Sequence, residues 1–451
     1  MHFGFSTYGP VFIYAGAIVS FTLSIAWRPQ VGMYFLVPLL PMQTARYWVH
    51  EFPLGEKLVD VLLLGIVIGL IIHNKSPRIL PSPLNKILII FFAVTYFALW
   101  EGSFFVHAPL PLSLDDPRFS DWKNYVEMML IFFIAASAIR TPKQMTLIIS
   151  LMILSVVVVN RNYHSTVGGR DFSQYSDSLR EAGPLGYAGE NGMGAFQSEM
   201  AIFFIGLACF VRKVIPRIVL WGVAMSSVYC LLLTFSRGGY LGFLVGLLVL
   251  GIIRERKLLF VLAILLVSWQ SLVPNAVRER VLMTYQQGEG LDASAEERVT
   301  IWQDAVDVIT RNPLLGTGFD TYAYMGRVGD YKDTHNYYLK VFLELGLIGL
   351  AVFLWELRTV GKMTWQLFRA SEDPWLSGLA GAFFAMLFCA VVVNFFGDRW
   401  TYLQVNGFFW VLVGLISRAL FILKEEQTVG EAFSVEASPL NVGIEVAAPH
   451  V

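Results

Sequence analysis

Three arginines and a histidine are the side chains best placed to do chemistry in this 451-residue chain. Arg237 stands in TFSRGGY, between two apolar runs with almost no loop. A guanidinium at that depth is costly in a bilayer, so it either snorkels to headgroups or serves an anion. Gly238 and Gly239 let a backbone come close, and Ser236 can cap the next helix, whose N-terminus favours negative charge. Arg298 lies in SAEERVTIWQDAVDVI, one turn before Trp302. Arg180 lies in SLREAGPLGYAGENGMG, where a glycine-rich stretch leads into an apolar run. Singly, each reads equally as a solvated loop charge. Together, forked guanidiniums suit phosphate oxygens better than ammonium groups do, and several on one face point to a diphosphate-bearing lipid. His335 stands in DTHNYYLKVFLELGLIGL, where a polar loop meets a long apolar run. It can serve as an interfacial cap or, as a neutral imidazole, take a proton from a hydroxyl. Asp333 and Asn336 flank it, and Asn336 is read as a helix cap, a support for the histidine or a substrate ligand.

Other chemistry is missing from the chain. It holds no G-x-x-x-x-G-K-[ST] loop, no credible dinucleotide fingerprint and no G-x-S-x-G elbow. The histidines lack zinc spacing, so no metal and no cofactor is expected. Asp115 and Asp116 could hold a divalent cation, but a turn before Pro117 explains them as well. Cys209, Cys230 and Cys389 lie inside apolar runs and read as small buried hydrophobes.

The elements that position these residues are membrane helices. The chain is 56% apolar and 15% charged, with a mean hydropathy of +0.59. That balance indicates an all-α polytopic membrane protein, and a net charge of −1 speaks against a nucleic-acid partner. About thirteen apolar runs approach spanning length. The second, near 31–42, carries Pro38 and Pro41, so the span number is about 12 or 13. Lys75, Arg78, Arg140, Lys143, Arg212, Lys213, Arg254, Arg358 and Lys424 fall on one side by parity, which marks the cytoplasm. The segments 103–122, 161–194 and 274–338 then face outward.

The expected organisation is an N-terminal membrane block over 1–160, an external loop over 161–194 and further spans over 195–273. A large external loop follows over 274–338, then C-terminal spans over 339–421 and a disordered cytoplasmic tail over 422–451. Within the large loop, Ser294 and Glu297 form a capping-box pattern. Val299, Trp302, Val306 and Ile309 recur at helical spacing, as expected of a helix lying on the membrane surface or packed on other loops.

Four stretches resemble the O-antigen ligase and polymerase superfamily of bacterial envelopes. SRGGYLGFLVGLL (236–248) resembles its Ser-Arg-Gly-Gly helix start. RVTIWQDAVDVITRNPLLGTGFDTY (298–322) resembles its Arg-Trp helix and Pro-Leu-Gly turn. HNYYLKVFLELGLIGL (335–350) resembles its His-Asn helix. GPLGYAGENGMGAF (183–196), with Asn191 and the preceding Arg180, is similar to a weaker upstream motif. The resemblance covers the C-terminal two-thirds; the first 160 residues match in hydropathy alone.

The resemblance implies a membrane-embedded, GT-C-like glycosyltransferase of the bacterial inner membrane. Its donor would be an undecaprenyl-diphosphate-linked glycan, and it would need neither nucleotide nor metal. The acceptor would be a lipid A-core sugar, another lipid-linked repeat or a protein. Arg237 and Arg298, with Arg180 and Asn191 less securely, would hold diphosphate or glycan, and His335 would act in transfer. Glu344, deeper in the same helix, is expected to pair within the bundle. A transporter would need matching broken helices and midplane charges in two halves, and no convincing internal repeat is present.

This orientation makes a labelling prediction. Cysteines introduced at Ser176 and Tyr331 should react with an impermeant reagent in whole cells. Protection of both until the inner membrane is broken would overturn it.

Overall fold

A computed structural model describes residues 5–73, 79–112, 115–283, 285–286, 290–291, 293–328 and 333–436. Lys75, Arg78 and the labelling position Tyr331 lie outside the described residues. The N-terminal helices are α1 (Phe5–Ala26), α2 (Gln30–Leu39), α3 (Gln43–Tyr47), α4 (Leu58–His73), α5 (Pro83–Phe105), α6 (Pro117–Ala138) and α7 (Pro142–Val167). The middle set is α8 (Gly189–Phe210), α9 (Val214–Leu233), α10 (Arg237–Ile253), α11 (Lys257–Leu272), α12 (Asn275–Leu282), α13 (Ala293–Arg311) and α14 (Tyr322–Met325). The chain closes with α15 (Tyr337–Ala370), α16 (Pro374–Val393) and α17 (Leu403–Glu436). A two-residue antiparallel pair, β1 (Tyr285–Gln286) and β2 (Gly290–Leu291), decorates the large loop.

Several helix starts are written in one local code. Ser82, Asp116, Thr141 and Asp373 each cap a helix whose first residue is proline. The cap oxygen takes an orphan N–H, and the proline has none to lose. Asp116 accepts from the Arg118 N–H at 2.9 Å, so the turn-and-cap reading of that acidic pair holds.

The architecture is all-α and polytopic. Eight helices among the described residues are long and apolar enough to cross a membrane, or nine if α11 and α12, bent by 108°, are one span. The remaining expected runs are helical too, but α2 and α10 are short, and α6 carries Arg118, Asp121, Lys123 and Glu127 in its first half. α8 lies at the centre, with α9, α10 and α16 packed around it, and Gly206 lets α16 approach at Ala382. Tyr14 Oη donates to the Pro53 carbonyl at 3.1 Å, and Gly9 faces Trp48. The start of α1 therefore lies at the end of the bundle that holds α3.

Three expectations change. The disordered tail expected from 422 is helical to Glu436, as α17 continues; residues 437–451 lie outside the described residues. Ser294 is not a cap, because α13 already includes it. The buried stripe of α13 is Ile301, Ala305, Val308 and Ile309, while Val299 and Val306 are exposed. That stripe packs on Tyr322 and on Leu343 of α15, so of the two packings weighed, α13 shows the one against protein.

The link between α13 and the bundle is a backbone exchange. α15 breaks at Gly346, where φ is +63°. The Leu343 and Glu344 carbonyls accept from the Thr317 and Gly318 N–H groups at 3.0 and 2.8 Å. The Leu347 and Ile348 N–H groups in turn donate to the Pro313 and Leu314 carbonyls at 2.9 and 3.3 Å. Phe319 N–H donates to the Ala98 carbonyl of α5 at 3.0 Å. The segment 313–319 is thus wedged between α5 and α15 and satisfies the groups that the break releases.

Gly318 is the tightest point of the wedge. Its φ is +105°, and an added Cβ would sit 2.2 Å from Gly102 backbone atoms. Gly318→Ala should therefore destabilise by on the order of 3 kcal/mol or more. Gly326→Ala, with φ +55° and open space, should cost only about 1 kcal/mol. Unfolding in detergent measures both, and equal losses would refute the wedge.

Candidate functional site

The turn between α9 and α10 sets Arg237. Phe235, buried, adopts φ +53°, an uncommon conformation for a non-glycine residue. Ser236 then caps α10, its Oγ accepting from the Gly239 N–H at 3.4 Å. Gly194 of α8 permits this packing, since a Cβ there would lie 2.4 Å from Ser236 Cβ. Arg237 is consequently the first residue of α10, at the positive end of the helix dipole.

A narrow slot of about 20 Å³ opens there. Asn191, Ser236, Arg237, Arg280, Arg298 and Arg399 are among its walls. Arg180 stands behind Asn191: one terminal nitrogen donates to Asn191 Oδ1 at 2.8 Å, and the other lies 3.1 Å from Glu190 Oε1. Burial lowers the Arg298 pKa, and the neighbouring Arg237, Arg399, Arg180 and Arg280 lower it further, to about 10. Five guanidiniums therefore share one electrostatic neighbourhood. Such a cluster is suited to a multivalent anion.

Two of these arginines were not singled out in the sequence. Arg280 lies on the buried face of α12 with Ala276 and Val277, its guanidinium 4.9 Å from the centre of the Tyr175 ring. Arg399 is buried between α16 and α17; its N–H donates to Asn394 Oδ1 at 3.0 Å, and its Nη1 donates to the Ala188 carbonyl at 3.4 Å. Arg399 breaks the positive-inside pattern as Arg237 does, and that signal was available.

His335 is set by a second strained turn, with φ +49°. Its N–H donates to Asp333 Oδ1 at 2.6 Å, and its Nδ1 lies 2.9 Å from the same oxygen. With its proton on Nδ1, facing that carboxylate, the imidazole would offer its Nε2 lone pair to a substrate. Burial pushes the Asp333 carboxyl up, but His335 and then Arg399 beside it outweigh burial and hold it well below the usual carboxylate range. Trp302 Nε1 donates to the Thr334 carbonyl at 3.0 Å, tying α13 and its Arg298 to the histidine turn. Asn336 is a cap: its Oδ1 accepts from the Tyr338 and Leu339 N–H groups at 3.0 and 3.2 Å. Its role as a substrate ligand gains no support, because that oxygen is committed to α15. Glu344 pairs within the bundle, accepting from the Asp320 N–H at 3.0 Å.

Asp333 also lines a second, much larger cavity of about 1050 Å³. Arg399 lines the arginine slot, while Asp333 and Asp398, the residue next to Arg399, line this cavity, and the charges of Arg399 and Asp333 feel one another.

Residues 221–354 match the family described as O-antigen ligase. That segment contains Arg237, Arg280, Arg298 and His335, while Arg180, Asn191 and Arg399 lie outside it. The chain is 28% identical over 205 residues to a "Putative polysaccharide ligase" of Rickettsia bellii (strain RML369-C), covering 40% of this chain and 48% of the relative. It is 25% identical over 217 residues to "Exopolysaccharide production protein ExoQ" of Rhizobium meliloti (strain 1021), covering 42% and 48%. The chain spans about half the length of these curated relatives. Both comparisons agree with the resemblance drawn from the motifs.

Inorganic pyrophosphate should bind the purified protein, read by calorimetry. Arg237→Lys and Arg298→Lys keep the charge and lose the fork, so each should weaken binding about tenfold or more, from the loss of a charged hydrogen bond worth about 1.5–3 kcal/mol. Unchanged binding in both variants would remove these arginines from the site.

Proposed function

We propose that this multi-pass membrane protein of the O-antigen ligase and polymerase superfamily transfers a glycan from undecaprenyl diphosphate to an acceptor hydroxyl. The reaction would occur at the periplasmic face of the bacterial inner membrane. The observation that supports this reading is the gathering of five arginines beside an Asp333–His335 pair at one end of the helix bundle.

In this reading the donor keeps its lipid tail in the bilayer and lays its diphosphate in the arginine slot. The acceptor hydroxyl attacks the sugar C1, its proton passes to His335 Nε2, and the bond from C1 to the phosphate oxygen breaks. The charge that grows on the departing undecaprenyl diphosphate is met by Arg237, Arg298, Arg280 and Arg399. Asp333 orients the imidazole and stabilises its protonated form. Direct displacement inverts the anomeric centre, because no covalent sugar–enzyme step is required. The lipid diphosphate is itself the leaving group, so no nucleotide is consumed, and arginines supply the charge that a metal would otherwise supply. The acceptor taken here is a sugar of the lipid A core. Growth of a polymer on a second lipid-linked repeat is the other reading, favoured by the exopolysaccharide role in the name of one relative.

Transfer from a lipid-linked glycan by purified protein, without an ion gradient and in the presence of EDTA, tests the reaction. His335→Ala should retain donor binding and lose about 10²–10⁴-fold in turnover, the usual contribution of a general base. The pH profile tests the same role. A folded carboxyl pKa held low, as for Asp333, contributes stability above the unfolded value and loses it only as pH falls through the folded one. Asp333 therefore stays ionised across the assay range, and a rate that falls with acid reports protonation of His335. If a protonated His335 instead grips the diphosphate, the rate rises as pH falls and His335→Ala weakens donor binding. Unchanged turnover in His335→Ala sinks both roles.

A further inference from the structure

The large cavity beside Asp333 has a charge character opposite to the arginine slot. Its described lining holds seven carboxyl side chains against four of lysine or arginine. The slot's described lining holds four arginines and no carboxylate. Asp398 lines this cavity and the next residue, Arg399, lines the slot, so the contrast runs across that junction, with a cationic half on one side and an acidic half on the other.

The acidic half centres on Lys340, one turn into α15 from the Asn336 cap. Its Nζ lies 2.8 Å from Asp398 Oδ2 and 3.7 Å from Asp320 Oδ1. Asp121 of α6 lies within electrostatic reach of both Asp320 and Lys340. Three carboxylates thus share one ammonium, and burial pushes the Asp320 carboxyl up. Further along the wall, two buried polar atoms, Arg46 Nε and Glu127 Oε1, have no hydrogen-bond partner among the described residues. One is a donor and the other an acceptor, which is what a sugar hydroxyl satisfies from both sides. Tyr47, Tyr187 and Tyr324 expose rings on the same wall, and a pyranose can lay its apolar face on them. The volume, about 1050 Å³, is ample for a short oligosaccharide.

We infer that this cavity is the acceptor site and that it selects a saccharide without phosphate groups, a free amine being favoured. The inference rests on the transfer reaction proposed above. A phosphate entering this space would meet Asp121, Asp320 and Asp398, with Lys340 the cation within ion-pair distance of two of them. An ammonium would complete the balance that Lys340 leaves unfinished. The hydroxyl of such a sugar would have to reach His335 at Nε2, since Asp333 occupies the Nδ1 edge of the ring.

Calorimetry on the full chain in nanodiscs tests this with three probes: a glucosamine trimer, its N-acetylated counterpart, and a trisaccharide bearing a phosphate monoester. The amine trimer should bind about tenfold or more tighter than the phosphorylated one, with the acetylated trimer between them. Asp320→Asn should weaken the amine trimer about tenfold and leave the acetylated trimer nearly unchanged, as removal of one charge contact predicts. The ranking on the unmodified protein stands even if that variant fails to fold. Phosphorylated trimer binding as tightly as the acetylated one overturns the inference. So does the absence of any trimer binding in protein that still binds pyrophosphate. Loss of pyrophosphate binding itself would fall on the proposed function instead, and would take this inference with it.

Discussion

The break in α15 at Gly346 is the constraint on which the rest of the site depends. A helix interrupted inside a bundle leaves carbonyls and N–H groups that lipid cannot satisfy. Here the segment 313–319 supplies the missing partners in both directions. The exchange anchors a loop, which alone would be loose, to the most rigid part of the fold. Because α13 precedes that segment directly, its Arg298 is held at a fixed height relative to the start of α15, where His335 stands. The Trp302–Thr334 hydrogen bond closes the same circuit from the other side.

Gathering like charges is costly, and the protein meets that cost with separate rigid supports. Arg237 is set by a capped helix start, Arg280 by a short helix after a sharp bend, Arg298 by α13, and Arg399 by the junction of α16 and α17. No local sequence has to tolerate several adjacent arginines. The mutual repulsion appears only once the tertiary structure forms, and Arg298 records it in its lowered pKa. Asp398 turns toward Lys340 while its neighbour Arg399 lines the slot.

Much of this was legible in the residues. Apolar runs of spanning length, the caps at Ser236 and Asn336, and an arginine out of place at Arg237 each follow from local rules. Arg180, Asn191, Arg237 and Arg298, drawn from separate motifs, lie in one neighbourhood in the structure. What escaped had non-local causes. Arg280 is unremarkable in its own helix and matters because a 108° bend turns α12 toward the slot. The buried face of α13 was misassigned by a residue or two, since α15, not lipid, decides which stripe is covered. The Asn-Pro-Leu-Leu-Gly-Thr-Gly stretch follows the end of α13 at Arg311, and nothing local in it shows that its glycines also serve close backbone approach to helices far away in the chain. The short α2 has the composition of a span and half the length of one, which a hydropathy window does not distinguish.

Arg399 lies so late in the chain that it carries a consequence for biogenesis. A ribosome delivers Arg180 and Asn191 first, and the slot lacks its last wall until the α16–α17 hairpin has entered the bilayer. A partly inserted chain therefore presents isolated cations but no enclosed anion site. The order of synthesis thus delays the enclosed arginine slot until the last helices are in place.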